Sequence, residues 1–135
     1  MKRYFRFLVL SVFLTILGSC STSININDYI DKNQPIELTI RTTDSVIHYE
    51  SFVIPINSDK YNKIIQWGNE NTKGWKTDFV SYCVMNGFVI IQDDFRLLRM
   101  YNGVVIGFTD KNGNRKQYHK SVKEDDLKFL LYQNQ

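Results

Sequence analysis

The chain has 135 residues, 43% hydrophobic and 14% aromatic, with only seven glycines and two prolines. That length supports one small domain and not two, and the composition argues against disorder. Its 17 Lys and Arg exceed its 14 Asp and Glu, but three of the cations (Lys2, Arg3, Arg6) and none of the acids precede Cys20, leaving 14 against 14. Without a basic cluster, nucleic acid is excluded as a partner.

The first element is a leader. Lys2, Arg3 and Arg6 form a positive n-region ahead of the uncharged apolar run Phe7 to Leu17. Spanning a bilayer takes about twenty apolar residues, so this run is short for a permanent anchor. It suits the h-region of a signal peptide, which needs about seven to fifteen. The run ends in Leu17-Gly18-Ser19-Cys20, which resembles the lipobox of bacterial lipoproteins over the first twenty residues. The resemblance implies diacylglyceryl transfer to the Cys20 sulfur, cleavage between Ser19 and Cys20, and acylation of the new amino group. It makes the membrane a partner through acyl chains on Cys20, and two or three chains hold where one is marginal. Ser21 in place of an aspartate points to the outer membrane, facing the periplasm. Cys83 is then an unpaired small hydrophobe of the strand "FVSYCVM"; if Cys20 keeps its thiol, a Cys20–Cys83 disulfide is the alternative.

Residues 20–35, rich in Asn, Asp and Ser and closed by Pro35, read as a lipidated N-terminus and tether, with Ile26, Tyr29 and Ile30 able to dock its second half. The domain proper is expected over 36–135. "IELTIRT" alternates as a strand, "VIHYESFVIPI" reads as a second one, and Pro55 marks an edge or a strand end. A capping residue at Asn57 or Ser58 then opens a helix over about Asp59 to Asn69, which Gly68 or Asn69 helps to stop. "KTDFVSYCVM" and "FVIIQD" flank Asn86-Gly87, and "FRLLRMY" and "VVIGFTD" flank Asn102-Gly103, two hairpin signals. "DKNGNR" turns the chain into "KQYHKSV", and "SVKE" (Ser121 to Glu124) reads as a capping box opening a short C-terminal helix. The expected fold class is α+β: an antiparallel β-meander of six to seven strands, one helix packed on a sheet face, and that short second helix.

Catalytic patterns are sparse. His48 and His119 lie mid-strand, with no acid or nucleophile adjacent in sequence. Metal ligands at zinc spacing are absent, and "DKNGN" lacks the glutamate of a calcium loop at the correct offset. Neither enzyme activity, metal nor cofactor is expected. Trp67 and Trp75 bracket a polar bend. Both suit a core clamp between helix and sheet, while one exposed indole would make a binding anchor with Arg96, Arg99 and Tyr101, joined by Tyr118 and Tyr132.

The passage "YNKIIQW…GW" followed by the meander, about Ser58 to Leu131, resembles small lipoproteins that serve as immunity partners of secreted bacterial toxins, including type VI effectors. The resemblance carries over no functional residue. It implies a lipid-anchored envelope protein that works by binding a protein, a toxin in the sharpest version. The rival is a structural or assembly lipoprotein that binds a membrane complex, peptidoglycan or lipid.

Overall fold

A computed structural model describes residues 21–43, 46–82 and 86–131. The leader with Ser19 and Cys20, as well as Cys83 and Tyr132, falls outside them. The described chain is one antiparallel sheet of seven strands with a single α-helix: β1 (Ile36–Thr43), β2 (Ile47–Ile54), α1 (Asp59–Glu70), β3 (Lys76–Thr77), β4 (Gly87–Gln92), β5 (Phe95–Met100), β6 (Gly103–Thr109) and β7 (Arg115–Ser121). Short 3-10 turns cover Ile26–Asp28 and Lys128–Leu130. The strand order is β2-β1-β4-β5-β6-β7-β3.

That order decides what the helix must do. β2 and β3 follow one another in the chain, yet occupy opposite edges. Six inter-strand steps of about 4.8 Å separate them by roughly 29 Å. A twelve-residue helix covers about 18 Å, so α1 and its flanking loops bridge the sheet along one face. The Ser58 hydroxyl caps the helix by accepting the Tyr61 amide at 3.2 Å, and the Asn71 amide closes it on the Gly68 carbonyl. Tyr61, Ile64 and Trp67 point inward at helical spacing. They meet one face of each central strand, including Leu38, Ile90, Leu97 and Ile106, all essentially buried.

The tether expected over 20–35 belongs instead to the domain from Thr22 onward. The Thr22 amide donates to the Trp75 carbonyl at 2.8 Å and the Ile24 amide to the Thr72 carbonyl at 2.7 Å. Ile24, Ile26 and Ile30 are core residues. The polar residues that suggest a linker are occupied locally: the Asn25 carboxamide caps the Ile26–Asp28 turn, and the Asp31 carboxylate receives the amide of Asn33 and the side chain of Gln34. Gln92, buried in the sheet, accepts the Asp31 amide at 2.7 Å and donates to the Asp31 and Gln34 carbonyls.

Three further expectations are corrected. Asn86-Gly87 is not a hairpin turn, because β4 pairs with β1 and β5 while β3 pairs with β7. The β5–β6 turn is Tyr101-Asn102, one residue earlier than expected, since Met100 faces Gly103. The second helix is only a 3-10 turn: β7 takes Ser121 into its ladder, and Asp126 rather than Ser121 accepts the Lys123 amide, at 3.1 Å.

Gly68 lies inside α1 and does not stop it. A Cβ there would sit 2.7 Å from Ile26 Cγ1 and 2.8 Å from Asn27 Oδ1. Alanine in place of glycine within a helix ordinarily gains about 1 kcal/mol. Here Gly68→Ala is expected to lose about 1–3 kcal/mol, because the packed N-terminal segment must shift. Chemical denaturation of the variant checks the sign, and a gain would mean that the segment is not docked.

Candidate functional site: the open face of the sheet

The strand registers sort every side chain onto one of two faces. The row Ser51, Thr39, Val89, Leu98, Val105, His119 runs unbroken across the sheet from β2 to β7. Beside it runs Val53, Glu37, Ile91, Arg96, Gly107, Gln117. Both rows lie on the face opposite α1. Val89, Ile91 and Leu98 are half-buried, and Tyr49 and Val53 are exposed at the β2 edge. Arg41, Arg96, Arg115 and Lys76 share this face with a single strand acid, Glu37. The Arg41 guanidinium stacks over Tyr49, 5.4 Å from the ring centroid. An apolar strip with a cationic border is thus left uncovered by the helix.

Part of that face carries a strap, residues 78–82. The Asp78 amide donates to the Gln117 carbonyl at 3.0 Å, and the Gln117 side chain returns a bond to the Val80 carbonyl at 2.6 Å. The buried Asp78 carboxylate accepts the Tyr82 hydroxyl at 2.5 Å and the Val80 amide at 2.9 Å. It lies 3.3 Å from His119 Nδ1, close enough for charge attraction but without the alignment of a hydrogen bond. Burial pushes the Asp78 carboxyl up. The Tyr82 and Val80 hydrogen bonds and the His119 charge outweigh this and hold it below the usual carboxylate range. Asp78 in turn pushes the Tyr82 phenol up. Between strap and strands lies a hollow of about 320 Å³, bordered by Tyr82, Arg96, Leu98 and Arg115, with Gly107 leaving room at its floor. Phe79, at 93% exposure, projects from the strap into solvent.

The sequence-predicted binding residues do not assemble into one surface. Trp75 is wholly buried, which corrects its reading as an exposed anchor. Its Nε1–H donates to the Asn71 carbonyl at 2.9 Å, and its ring meets Trp67 edge-on at 6.5 Å. Trp67 is also buried. Both indoles therefore follow the core-clamp reading. Arg99 is corrected as well, since it points to the helix side with Phe95 and Leu97. Its guanidinium donates to the carbonyls of Tyr101, Gly103, Lys123, Glu124 and Asp126. It latches the C-terminal segment to the sheet. Burial pulls its pKa down, and Asp126 and Glu124 push it back up. Arg96 is exposed on the open face. Tyr101, 79% exposed, sits in the β5–β6 turn at the end of the sheet. Tyr118 stacks on Phe108 on the core side.

The Asp78–His119 pair is a feature that sequence reasoning missed. The β3–β7 ladder, with Lys76 opposite His119, brings the two together across forty intervening residues. An acid beside an imidazole can orient a ring and fix a charge, and here its observable work is to hold the strap. The "DKNGN" segment folds as the β6–β7 turn, its Asp110 carboxylate accepting the Asn112 and Asn114 amides. Among the described residues, no group of three or more His, Cys, Asp or Glu is placed to hold a metal.

A depressed carboxylate contributes stability that is present above its unfolded pKa and is lost as pH falls through the folded one. The strap is therefore expected to loosen as pH falls below about 4. Amide exchange of Phe79 to Tyr82 should accelerate there more than exchange in β5. Asp78→Asn should show fast strap exchange already at neutral pH, with a smaller acid response. An acid response identical to the wild type would remove Asp78 as the fastening.

Comparison with protein-family models, with curated proteins and with solved structures finds no match to this chain.

Proposed function

We propose that this is a lipid-anchored bacterial envelope protein that acts by binding another protein, most sharply as an immunity protein that neutralises a secreted toxin. On this reading Cys20 carries the acyl chains, the membrane is the outer membrane, and the domain faces the periplasm. The observation that carries the binding role is the asymmetry of the sheet. Its helix side buries the core under α1 and residues 22–30, with a hollow of about 350 Å³ left beside β1 and β2 at Leu38, Ile40, Phe52 and Ile54, while Val89, Ile91 and Leu98 on the other side stay half-exposed between arginines. Such a face offers apolar area for a partner's core contacts and an arginine for a hot spot. The cationic border fits a partner with acidic groups around an apolar centre, and it also speeds encounter with one.

Two variants test the two halves of the proposal. Cys20→Ala should abolish metabolic palmitate labelling and leave an uncleaved precursor, and unchanged labelling would remove the lipid anchor. Arg96→Glu, at an exposed position, should leave the melting temperature in place and weaken partner capture by about 2 kcal/mol, roughly thirtyfold. Crosslinked pull-down from the native envelope, wild type against variant, measures it. Capture of a toxin that is lost in the variant supports the immunity reading. Capture of an envelope-assembly complex would move the role to the structural rival, and equal capture by both proteins would remove the open face as the site.

A further inference from the structure

The path of the N-terminal segment fixes which end of the domain any anchor on Cys20 must adjoin. Thr22 is bonded to Trp75, Ile24 to Thr72, Ile26 packs on Gly68, and Asp31 reaches Gln92 beside the β4–β5 turn. From Thr22 to Asp31 the chain thus travels from one end of the sheet to the other. Trp75 precedes β3, and Lys120 Nζ lies 5.8 Å from its ring centroid, near the C-terminal end of β7. That end also holds the last residue of β1, the first of β2 and the β5–β6 turn. The Thr43 amide donates to Asn86 Oδ1 at 2.7 Å. One hollow of about 400 Å³ is lined by Thr43, Asn86, Tyr101 and Leu131, and a second, of about 290 Å³, by Tyr101, Gly103, Lys120 and Ser121.

Cys20 is two residues from Thr22, a reach of about 7 Å at most. A segment that was expected to be a tether is consumed by the fold, and nothing remains to lift the domain. The end beside Thr22 also carries exposed apolar side chains: Tyr101, Val46 at 64%, Ile47 at 46% and Leu131. Acids lie there too, but Lys128 pairs with Glu124 at 3.3 Å and Asp125 at 2.7 Å. The far end is built from the polar turns Asp31 to Gln34, Asp93-Asp94 and Asp110 to Asn114, with Ile56, and Val53 on the open face beside it, as exposed large hydrophobics.

We infer that the domain docks end-on against the lipid leaflet, with Tyr101, Val46, Ile47 and Leu131 seated among the headgroups and the strands running along the membrane normal. The inference rests on lipidation of Cys20. Tyrosine is favoured at the membrane–water interface, where its ring meets apolar chains and its hydroxyl stays wet. The docked arrangement stands the open face at right angles to the membrane, accessible from the side rather than pressed against lipid.

The test uses the full-length, processed protein, with Cys83→Ser as background. Single cysteines, Tyr101→Cys or Ile47→Cys at the proposed docked end and Asn112→Cys at the far end, carry an environment-sensitive fluorophore. Each protein is reconstituted in phosphatidylethanolamine–phosphatidylglycerol vesicles containing lipids brominated near the headgroup. The labels at 101 and 47 should lose most of their emission and the label at 112 almost none. Protein that floats with the vesicles but shows equal quenching at both ends, or none, overturns the docking and leaves lipidation intact. Protein that does not float, and whose Cys20 carries no acyl mass, overturns lipidation and the docking together.

Discussion

The indole of Trp75 meets Trp67 edge-on at 6.5 Å, while its Nε1–H is held by the Asn71 carbonyl and its own carbonyl receives the Thr22 amide. The Lys120 ammonium lies over the same ring and is bonded to Asn71 Oδ1 at 2.9 Å. Four parts of the chain thereby converge on one buried residue: the end of α1, the N-terminal segment, the β3 edge and the C-terminal end of β7. The convergence is forced by topology. Because β2 and β3 stand at opposite edges, the chain returns from α1 at the far side of the sheet, and a large buried side chain there closes the core.

Packing the core on one face leaves the other without a covering helix. The helix and residues 22–30 place the aliphatic groups of the N-terminal segment on the helix side, and among the described residues the second face receives the strap of residues 78–82. The strap is fastened mainly by polar contacts: the Gln117 exchange and the Asp78 carboxylate with its Tyr82 and His119 neighbours. A partner could therefore engage the Val89–Leu98 strip beside the strap without disturbing the core. Arg99 on the helix side and Arg96 on the open side, three residues apart, show the division. One is bonded to five carbonyls as a latch, while the other borders a hollow.

Much of the architecture was legible because it is local. Period-two alternation marks β1 and β5, and Ser58 with Tyr61, Ile64 and Trp67 marks α1. The same alternation places Arg99 with Phe95 and Leu97, so its burial was readable from parity. What was not legible depends on partners distant in sequence. Asn86-Gly87 carries the residues of a hairpin turn, but β4 finds β1 instead of the segment before it. Ser121 could cap a helix, but β6 holds it in the ladder. Asn25, Asn27 and Asp31 look like a linker because their side chains satisfy backbone and neighbouring groups within the fold, which hides the packing of Ile24, Ile26 and Ile30. The Asp78–His119 pair exists only through the β3–β7 ladder, and no local pattern announces it.

Under the proposed binding role the two faces of the sheet have different duties, one packing the core and the other meeting a protein partner. A photo-crosslinking amino acid placed in the native envelope at Leu98, on the open face, and at Lys63, on the outward side of α1, compares the two sides directly. Partner binding at the open face should give a discrete adduct from position 98 and none from position 63. An adduct from 63 alone, or from neither position, would contradict it.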